Sequence, residues 1–170
     1  RFEVSNKHFG EFIKATGHPA PAYWDDHRRN KPQQPVSGVN WNDATAYCSW
    51  SNKRLPTEAE WEKAARGPDG FKYPWGNDLD PSKANFGRKA ELTANVDAYP
   101  EGKSPYGLYN MAGNVFEWVN DWYDPNYYKT KTQTVNPTGP NEGVFLSATG
   151  TYVDRIAVGK KRSIRGGSWY

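Results

Sequence analysis

Apolar residues recur at helical spacing in the first third of the chain and predict a first helix close to its start. Phe9, Phe12 and Ile13 fall on one face of that helix. Ser5 precedes them as a suitable N-cap, and Gly17 stands where a left-handed C-cap residue is expected. The pattern therefore predicts a helix between Ser5 and Gly17.

A second helix is predicted to begin near Asn40 or Asn42. Its apolar face would bury Ala44, Tyr47 and Cys48. Because Cys48 belongs to that inner face, we interpret it as a buried structural thiol rather than a nucleophile.

The third helix has the clearest start signal of the chain. The segment TEAE at 57–60 is a capping box, in which Thr57 and Glu60 satisfy each other's backbone amides. Trp61, Ala64 and Ala65 form the inner stripe that follows, and Gly67 closes the helix.

Helical periodicity fades after Gly67, and turn-forming pairs such as Asp-Pro and Gly-Pro take over. Short strands are predicted around Ala94–Ala98, Val144–Leu146, Thr151–Val153 and Ser163–Trp169. The pattern contains no internal repeat and no obvious linker. We therefore expect one α+β domain over residues 1–170, with little regular secondary structure after the helices.

Composition supports a compact, loop-rich domain. Hydrophobic residues reach only 36%, whereas the chain has 16 Gly, 13 Pro, 8 Trp and 11 Tyr. Large rings can supply the core that aliphatic residues usually supply, since each buried ring removes about 150–250 Å² from water. The chain begins at Arg1 without Met, so we take it as a fragment, truncated at both ends, and leave its compartment open.

Charge and hydropathy argue against two classes of partner. The net charge is only +3, and we interpret the densest basic cluster, Lys160, Lys161, Arg162 and Arg165, as a solvated loop. No nucleic-acid partner is indicated. No window approaches the roughly 20 apolar residues of a membrane span, so none is predicted in these residues.

Side chains that could carry chemistry are few. Cys48 is the only cysteine, which excludes an internal disulfide or a cysteine-rich zinc site within the 170 residues. His8, His18 and His27 all lie near the start of the chain without a carboxylate at ligand spacing. We interpret them as surface or core histidines.

Five segments, in order along the chain, carry a family resemblance. They are PVSGVNWNDA at 35–44, KRLPTEAEWE at 53–62, YPWG at 73–76, SPYGLYNMAGNVFEW at 104–118 and RGGSW at 165–169. This series resembles the formylglycine-generating enzyme (sulfatase-modifying factor) family. The resemblance implies that family's α+β fold, which is similar to C-type lectin domains.

The resemblance also implies a calcium site in the segment 110–117. Its ligands would be the Asn110 side chain, the carbonyl oxygens of Gly113 and Val115, and the Glu117 carboxylate. Oxygen ligands of this kind suit Ca²⁺, which would fix the loop rather than take part in catalysis. The alternative is a metal-free turn in which the two polar side chains bond to backbone amides.

A second calcium site of the family begins at positions that match Asn85 and Phe86. The loop that follows, 87–94, offers no aspartate, and Glu91 is its only acid. The sequence therefore gives this second site little support.

Active family members would bind copper through two cysteines that follow the RGGSW segment. Soft thiolates select Cu(I), which would activate oxygen to convert a substrate cysteine into formylglycine. No such cysteine is present up to Tyr170, and Phe116 stands where active members tend to carry Trp in the substrate groove. As given, the chain is not expected to be a working oxidase.

Three functions remain open at this point. The first is a copper-dependent oxidase acting on a cysteine-containing, sulfatase-like substrate, if the full-length protein carries the cysteine pair. The second is a non-catalytic, calcium-stabilised binding or scaffold module with a protein partner, as in many bacterial relatives. The third is an iron-dependent relative of the ergothioneine-synthesis enzymes, which would need a histidine cluster that this chain lacks.

Overall fold

The computed structural model describes residues 1–87, 92–130, 135–146 and 159–170. Three helices come first, as the pattern predicts: α1 (Asn6–Thr16), α2 (Trp41–Trp50) and α3 (Glu58–Arg66). Two short 3₁₀ turns, Pro81–Lys83 and Pro100–Gly102, follow in the loop region.

Capping residues define the ends of these helices. The Ser5 hydroxyl accepts from the His8 amide at the start of α1, and Gly17 takes the left-handed conformation at its end, with φ 71°. Thr57 and Glu60 form the predicted capping box of α3. A second capping box, between Asn40 and Asp43, starts α2.

The apolar face of α2 is less buried than the sequence predicts. Ala44, Tyr47 and Cys48 do share one face, but all three are half-buried, and no residue of α2 is fully buried. The physical reason is that all three residues border an open cleft, although Tyr47 also packs against α1.

The strands are short and antiparallel. β1 (Glu117–Trp122) pairs with β4 (Arg162–Arg165), and β2 (Phe145–Leu146) pairs with β3 (Gly159–Lys160). A four-residue helix, α4 (Tyr127–Thr130), follows β1. This combination of early helices, short strands and long irregular segments confirms the predicted α+β fold class.

Individual strand predictions have mixed outcomes. The strand expected at Val144–Leu146 is present as β2, and the one expected at Ser163–Trp169 is present but ends at Arg165. Residues 94–98 form turns and irregular backbone, so that strand prediction is wrong. The strand predicted at Thr151–Val153 lies outside the described residues.

A small core joins α3 to β1. Trp61 and Ala65 of α3 pack against Met111 and against Val119, which is fully buried in β1. A separate aromatic cluster joins α1 to α2, where the rings of Phe9 and Tyr47 stack with centroids 5.6 Å apart. Aromatic residues thus supply much of the packing, as the composition indicates.

Tyr123 holds both ends of the segment 144–161. The Tyr123 carbonyl accepts from the Val144 amide at 3.2 Å, and the Tyr123 amide donates to the Lys161 carbonyl at 2.8 Å. Next to this clamp, the Arg162 guanidinium lies over the rings of Trp41 and Trp122, 3.9 and 3.6 Å from their centroids. Cation–π contacts therefore tie β4 to α2.

Helices among the described residues are too short and too polar to cross a lipid bilayer.

The capping box of α3 makes a pH-dependent contribution to stability. Hydrogen bonds from Arg54 and from the Thr57 amide lower the pKa of Glu60 from 4.5 to about 2. Because the folded-state pKa lies below the unfolded one, this contribution is present above pH 4.5 and is lost as the pH falls toward 2.

We therefore expect Glu60→Gln to flatten the dependence of the free energy of unfolding on pH between 4.5 and 2. Urea unfolding at several pH values measures this effect. Glu101→Gln, at an exposed position, is the control and should leave the dependence unchanged. Equal slopes for wild type and Glu60→Gln would contradict the assignment.

Candidate metal centre and binding cleft

The loop 110–117 leads into β1 and has an unusual backbone. Asn110 and Asn114 both adopt left-handed conformations, with φ 53° and 62°, and Gly113 has φ 85°. Asparagine tolerates this region better than other residues that carry a Cβ. These turns bring Asn110, Gly113 and Val115 into one compact loop, with Glu117 at the first position of β1.

Close contacts hold the loop against two distant segments. The Gly113 amide donates to the Gly166 carbonyl at 2.7 Å, and the Asn114 amide donates to the Asn85 carbonyl at 2.8 Å. A Cβ at Gly113 would collide with that same Asn85 carbonyl. The loop therefore requires glycine at position 113 for both its dihedral angle and its close packing.

Glu3 is hydrogen-bonded to the loop through its carboxylate. Its carboxylate accepts from Asn110 Nδ2 at 2.7 Å and from Asn114 Nδ2 at 2.9 and 3.1 Å. The Val115 amide also donates to it. Three donors of the loop thus converge on one side chain that precedes α1.

Asn114 continues this network toward Asn85. Its Oδ1 accepts from Asn85 Nδ2 at 3.1 Å and from the Ala94 amide at 2.8 Å. Both asparagines are fully buried, with 0% of their surface exposed. Asn85 Nδ2 donates in addition to the Leu92 carbonyl at 2.9 Å.

Two side-chain oxygens in this network lack partners. Asn110 Oδ1 and Asn85 Oδ1 are buried and accept no hydrogen bond from any of the residues that the structure describes. An unpaired buried acceptor costs about 1–3 kcal/mol, so each calls for an explanation. Asn110 is the residue that the sequence predicts to bind calcium through this atom.

Glu117 faces the same region from β1. Trp61 Nε1 donates to its Oε2 at 2.8 Å. Burial raises the pKa of Glu117 to about 7, and burial together with the nearby charge of Glu117 raises the pKa of Glu3 to about 8. Burial therefore favours the neutral forms of both carboxyl groups, whereas a neighbouring cation would favour the charged forms.

The loop borders a cleft of about 600 Å³. Phe2, Phe116 and Trp118 give it apolar walls, Lys53 and Arg54 lie on its side, and Glu3 and Glu117 are among its lining residues. Phe116 leaves 55% of its surface exposed. An exposed aromatic ring at the edge of a cleft is typical of a binding surface.

Cys48 also lines this cleft and is half-buried, so the prediction of a buried structural thiol is wrong as to its burial. Burial raises the pKa of the thiol, which disfavours the reactive thiolate. The expectation that Cys48 is not a nucleophile therefore keeps its physical support.

The three histidines do not assemble into a metal site. His8 is exposed and pairs with the Ser5 hydroxyl, and His18 pairs with Asp43 at 3.0 Å. No group of three or more His, Cys, Asp or Glu side chains in the described parts of the chain could hold a metal ion. For the second calcium site, Glu91 lies outside the described residues.

Sequence reasoning missed Glu3 as a member of this site. It lies 107 residues before Asn110, so no local spacing connects the two. The only signal was an acidic residue at an otherwise apolar position just before the α1 cap, and that signal is weak.

Comparison with known proteins places the chain in a family. Residues 1–170 match the family described as "Sulfatase-modifying factor enzyme 1-like domain". The chain belongs to this family, the formylglycine-generating (sulfatase-modifying factor) family, as the five sequence segments indicate.

The curated relatives carry different names. The chain is 36% identical to a formylglycine-generating enzyme of Thermomonospora curvata, over 84% of the chain and 66% of that protein. It is 46% identical to the formylglycine-generating enzyme of Streptomyces coelicolor, over 66% of the chain and 40% of that protein. It is also 36% identical to the serine/threonine-protein kinase pkn1 of Chlamydia caviae, over 98% of the chain but 27% of that protein. The chain thus spans no more than about two thirds of these relatives.

Solved structures support the fold. Treponema denticola variable protein 1 superposes with a TM-score of 0.67 at 24% identity, covering 98% of this chain and 71% of that one. A structure titled "Crystal Structure of CarF" gives 0.59 at 20% identity, covering 99% and 73%. At these identities the likeness concerns the fold alone.

We expect Gly113→Ala to destabilise the protein more than Gly17→Ala. Both positions have positive φ, which costs a residue with a Cβ about 1–2 kcal/mol. Only position 113 adds a collision, which costs about 1–3 kcal/mol more, whereas a Cβ at position 17 meets open space. Chemical denaturation measures both variants, and equal destabilisation would contradict the close packing of the loop.

Proposed function

We propose that this domain is a calcium-stabilised binding module of the formylglycine-generating family. The Asn110 side-chain oxygen, the Gly113 and Val115 carbonyl oxygens and the Glu117 carboxylate would hold the ion. The observation that carries this proposal is the buried Asn110 Oδ1, which accepts no hydrogen bond from the described residues. A calcium ion would give this oxygen a partner.

The chemistry of the donors fits calcium. All four predicted ligands are oxygens, and Ca²⁺ binds six to eight oxygen ligands at about 2.3–2.6 Å, with waters completing the shell. Burial raises the pKa values of the Glu3 and Glu117 carboxyl groups, and a bound cation would favour their ionised forms. The metal-free alternative leaves the Asn110 oxygen without a partner among the described residues.

The ion would act on binding through the loop. Phe116 lies between the Val115 carbonyl and the Glu117 carboxylate, two of the proposed ligands. Fixing these neighbours fixes the ring that borders the cleft, and an ordered ring loses less entropy when it binds. The cleft would take up an extended protein segment, since its apolar walls and basic side suit a peptide with apolar and acidic or carbonyl groups.

A copper-dependent oxidase is the second candidate, and 36% identity to the Thermomonospora curvata enzyme over 84% of the chain favours it. Copper binding by a cysteine pair does not fit the 170 residues, because Cys48 is their only cysteine. Conversion of a substrate cysteine into formylglycine therefore depends on residues of the full-length protein beyond those described here.

Calcium removal tests the stabilising role. Calcium at about 100 times its dissociation constant stabilises a protein by about 2.7 kcal/mol, so a chelator should lower the melting temperature by about 5–10 °C. The double variant Asn110→Ala with Glu117→Ala should lose this response. The exposed pair Asn42→Ala with Glu101→Ala is the matched control and should keep it. A wild-type protein that ignores the chelator would contradict the calcium site.

A peptide assay separates the two candidate functions. The full-length protein is incubated in air with a peptide containing Cys-x-Pro-x-Arg, with and without copper, while binding and loss of the thiol are measured. Binding without conversion supports the module, and copper-dependent conversion supports the oxidase.

In either case Phe116→Ala should weaken peptide binding by about 5–100-fold, the range for loss of an aromatic contact at an interface. Tyr106→Ala is the control, because Tyr106 is similarly exposed, at 53%, but does not line the cleft. Equal affinities for Phe116→Ala and wild type would rule out the cleft as the binding surface.

A further inference from the structure

We propose that Glu3 is the positioning residue of the calcium site, because its carboxylate sets which way the Asn110 and Asn114 amides point. No sequence motif of the calcium loop includes Glu3, which precedes α1. The inference rests on the calcium binding proposed above and adds the residue that prepares the site.

The argument begins with the chemistry of the two kinds of side chain. An asparagine amide has a donor end, the NH₂ group, and an acceptor end, the oxygen, and either end can point in a given direction. An ionised carboxylate only accepts. A carboxylate in contact with an amide therefore selects the orientation that turns the NH₂ group toward it.

Glu3 makes this selection at two amides at once. Its oxygens lie 2.7 Å from Asn110 Nδ2 and 2.9 Å from Asn114 Nδ2. Reversing either amide would bring two oxygens to those distances. Asn110 Nδ2 is held further by the Val96 carbonyl at 3.0 Å, so the reversed orientation would lose two hydrogen bonds.

The selection passes from Asn114 to Asn85. With its NH₂ group on Glu3, Asn114 presents Oδ1 to Asn85 Nδ2 at 3.1 Å. The NH₂ group of Asn85 is thereby turned toward Asn114, and its own oxygen points elsewhere. Glu3 thus acts together with the Val96 and Leu92 carbonyls and the Ala94 amide to orient three buried amides in a row.

The resulting orientation leaves acceptor oxygens, which are the ligands that a cation requires. Asn110 Oδ1 and Asn85 Oδ1 are the two side-chain oxygens of the network that accept nothing from the described residues. Without Glu3, only the Val96 carbonyl would hold the Asn110 amide in this orientation, against the cost of its unpaired oxygen, so a donor would face the ion in part of the population. Groups that orient metal ligands in this way typically change metal affinity 10–100-fold when they are removed.

Calcium titration calorimetry of Glu3→Gln tests the proposal, with the exposed Glu101→Gln as the control for charge removal. The glutamine has nearly the same shape but carries a donor of its own. We expect Glu3→Gln to bind calcium 10–100-fold more weakly and Glu101→Gln to bind as wild type does. If Glu3→Gln does not fold, Glu3→Asp, which keeps an acceptor-only group one methylene shorter, takes its place.

Two further measurements separate positioning from a merely structural role. In calcium-free protein above the Glu3 pKa of about 8, where the carboxyl is ionised, the side-chain NH₂ resonances of Asn110 and Asn114 should shift in Glu3→Gln, as seen by ¹H–¹⁵N NMR. Adding Asn110→Asp to Glu3→Gln should recover calcium affinity, because a carboxylate presents an oxygen in either orientation.

The outcomes distinguish this inference from the proposed function. A wild-type protein that binds no calcium contradicts the calcium site itself. Calcium binding by wild type with unchanged affinity in Glu3→Gln, or unchanged NH₂ resonances, overturns only the role of Glu3. A melting temperature that falls in Glu3→Gln while calcium affinity stays the same also overturns it.

Discussion

The fully buried side chain of Asn114 joins parts of the chain that are far apart in sequence. Its amide group bonds to Glu3 before α1 and to Asn85 and Ala94 in the middle of the chain. Its backbone carbonyl accepts from the Trp169 amide at 3.0 Å. A buried amide is costly unless every polar atom is paired, so these segments stabilise the fold only when all are in place. The irregular segments that follow α3 are therefore ordered by the pairing of buried polar groups rather than by a sheet.

The same requirement explains where sequence reasoning succeeds and where it fails. The helices were predictable because caps such as Ser5 and Thr57 are local signals. The strand expected at 94–98 was wrong because the carbonyl groups of Ala94 and Val96 accept from the side chains of Asn114 and Asn110. Alternating residues predict a strand only when the backbone is free to pair with another strand. The loop 110–117 was predictable through the family resemblance, whereas its contact with Glu3 depends on tertiary structure.

Relatives that align with this chain carry different names. The chain aligns with formylglycine-generating enzymes and with a protein named as a chlamydial kinase. It also aligns with a Bos taurus protein named as an inactive C-alpha-formylglycine-generating enzyme 2. A fold that is held by buried amides and aromatic rings can keep its architecture while the chemistry at its surface changes. Family membership therefore establishes the scaffold, and the contents of the cleft and of the full-length protein decide the activity.

The clamp at Tyr123 has a consequence for how this family can diversify. Because one residue hydrogen-bonds to both Val144 and Lys161, the entry and exit of the intervening segment stay fixed relative to β1. Closing a loop between fixed ends costs only about 0.6 kcal/mol more for each doubling of its length. Evolution can therefore lengthen, shorten or replace this segment at little cost to stability, and a protein engineer can graft a foreign peptide at the same place.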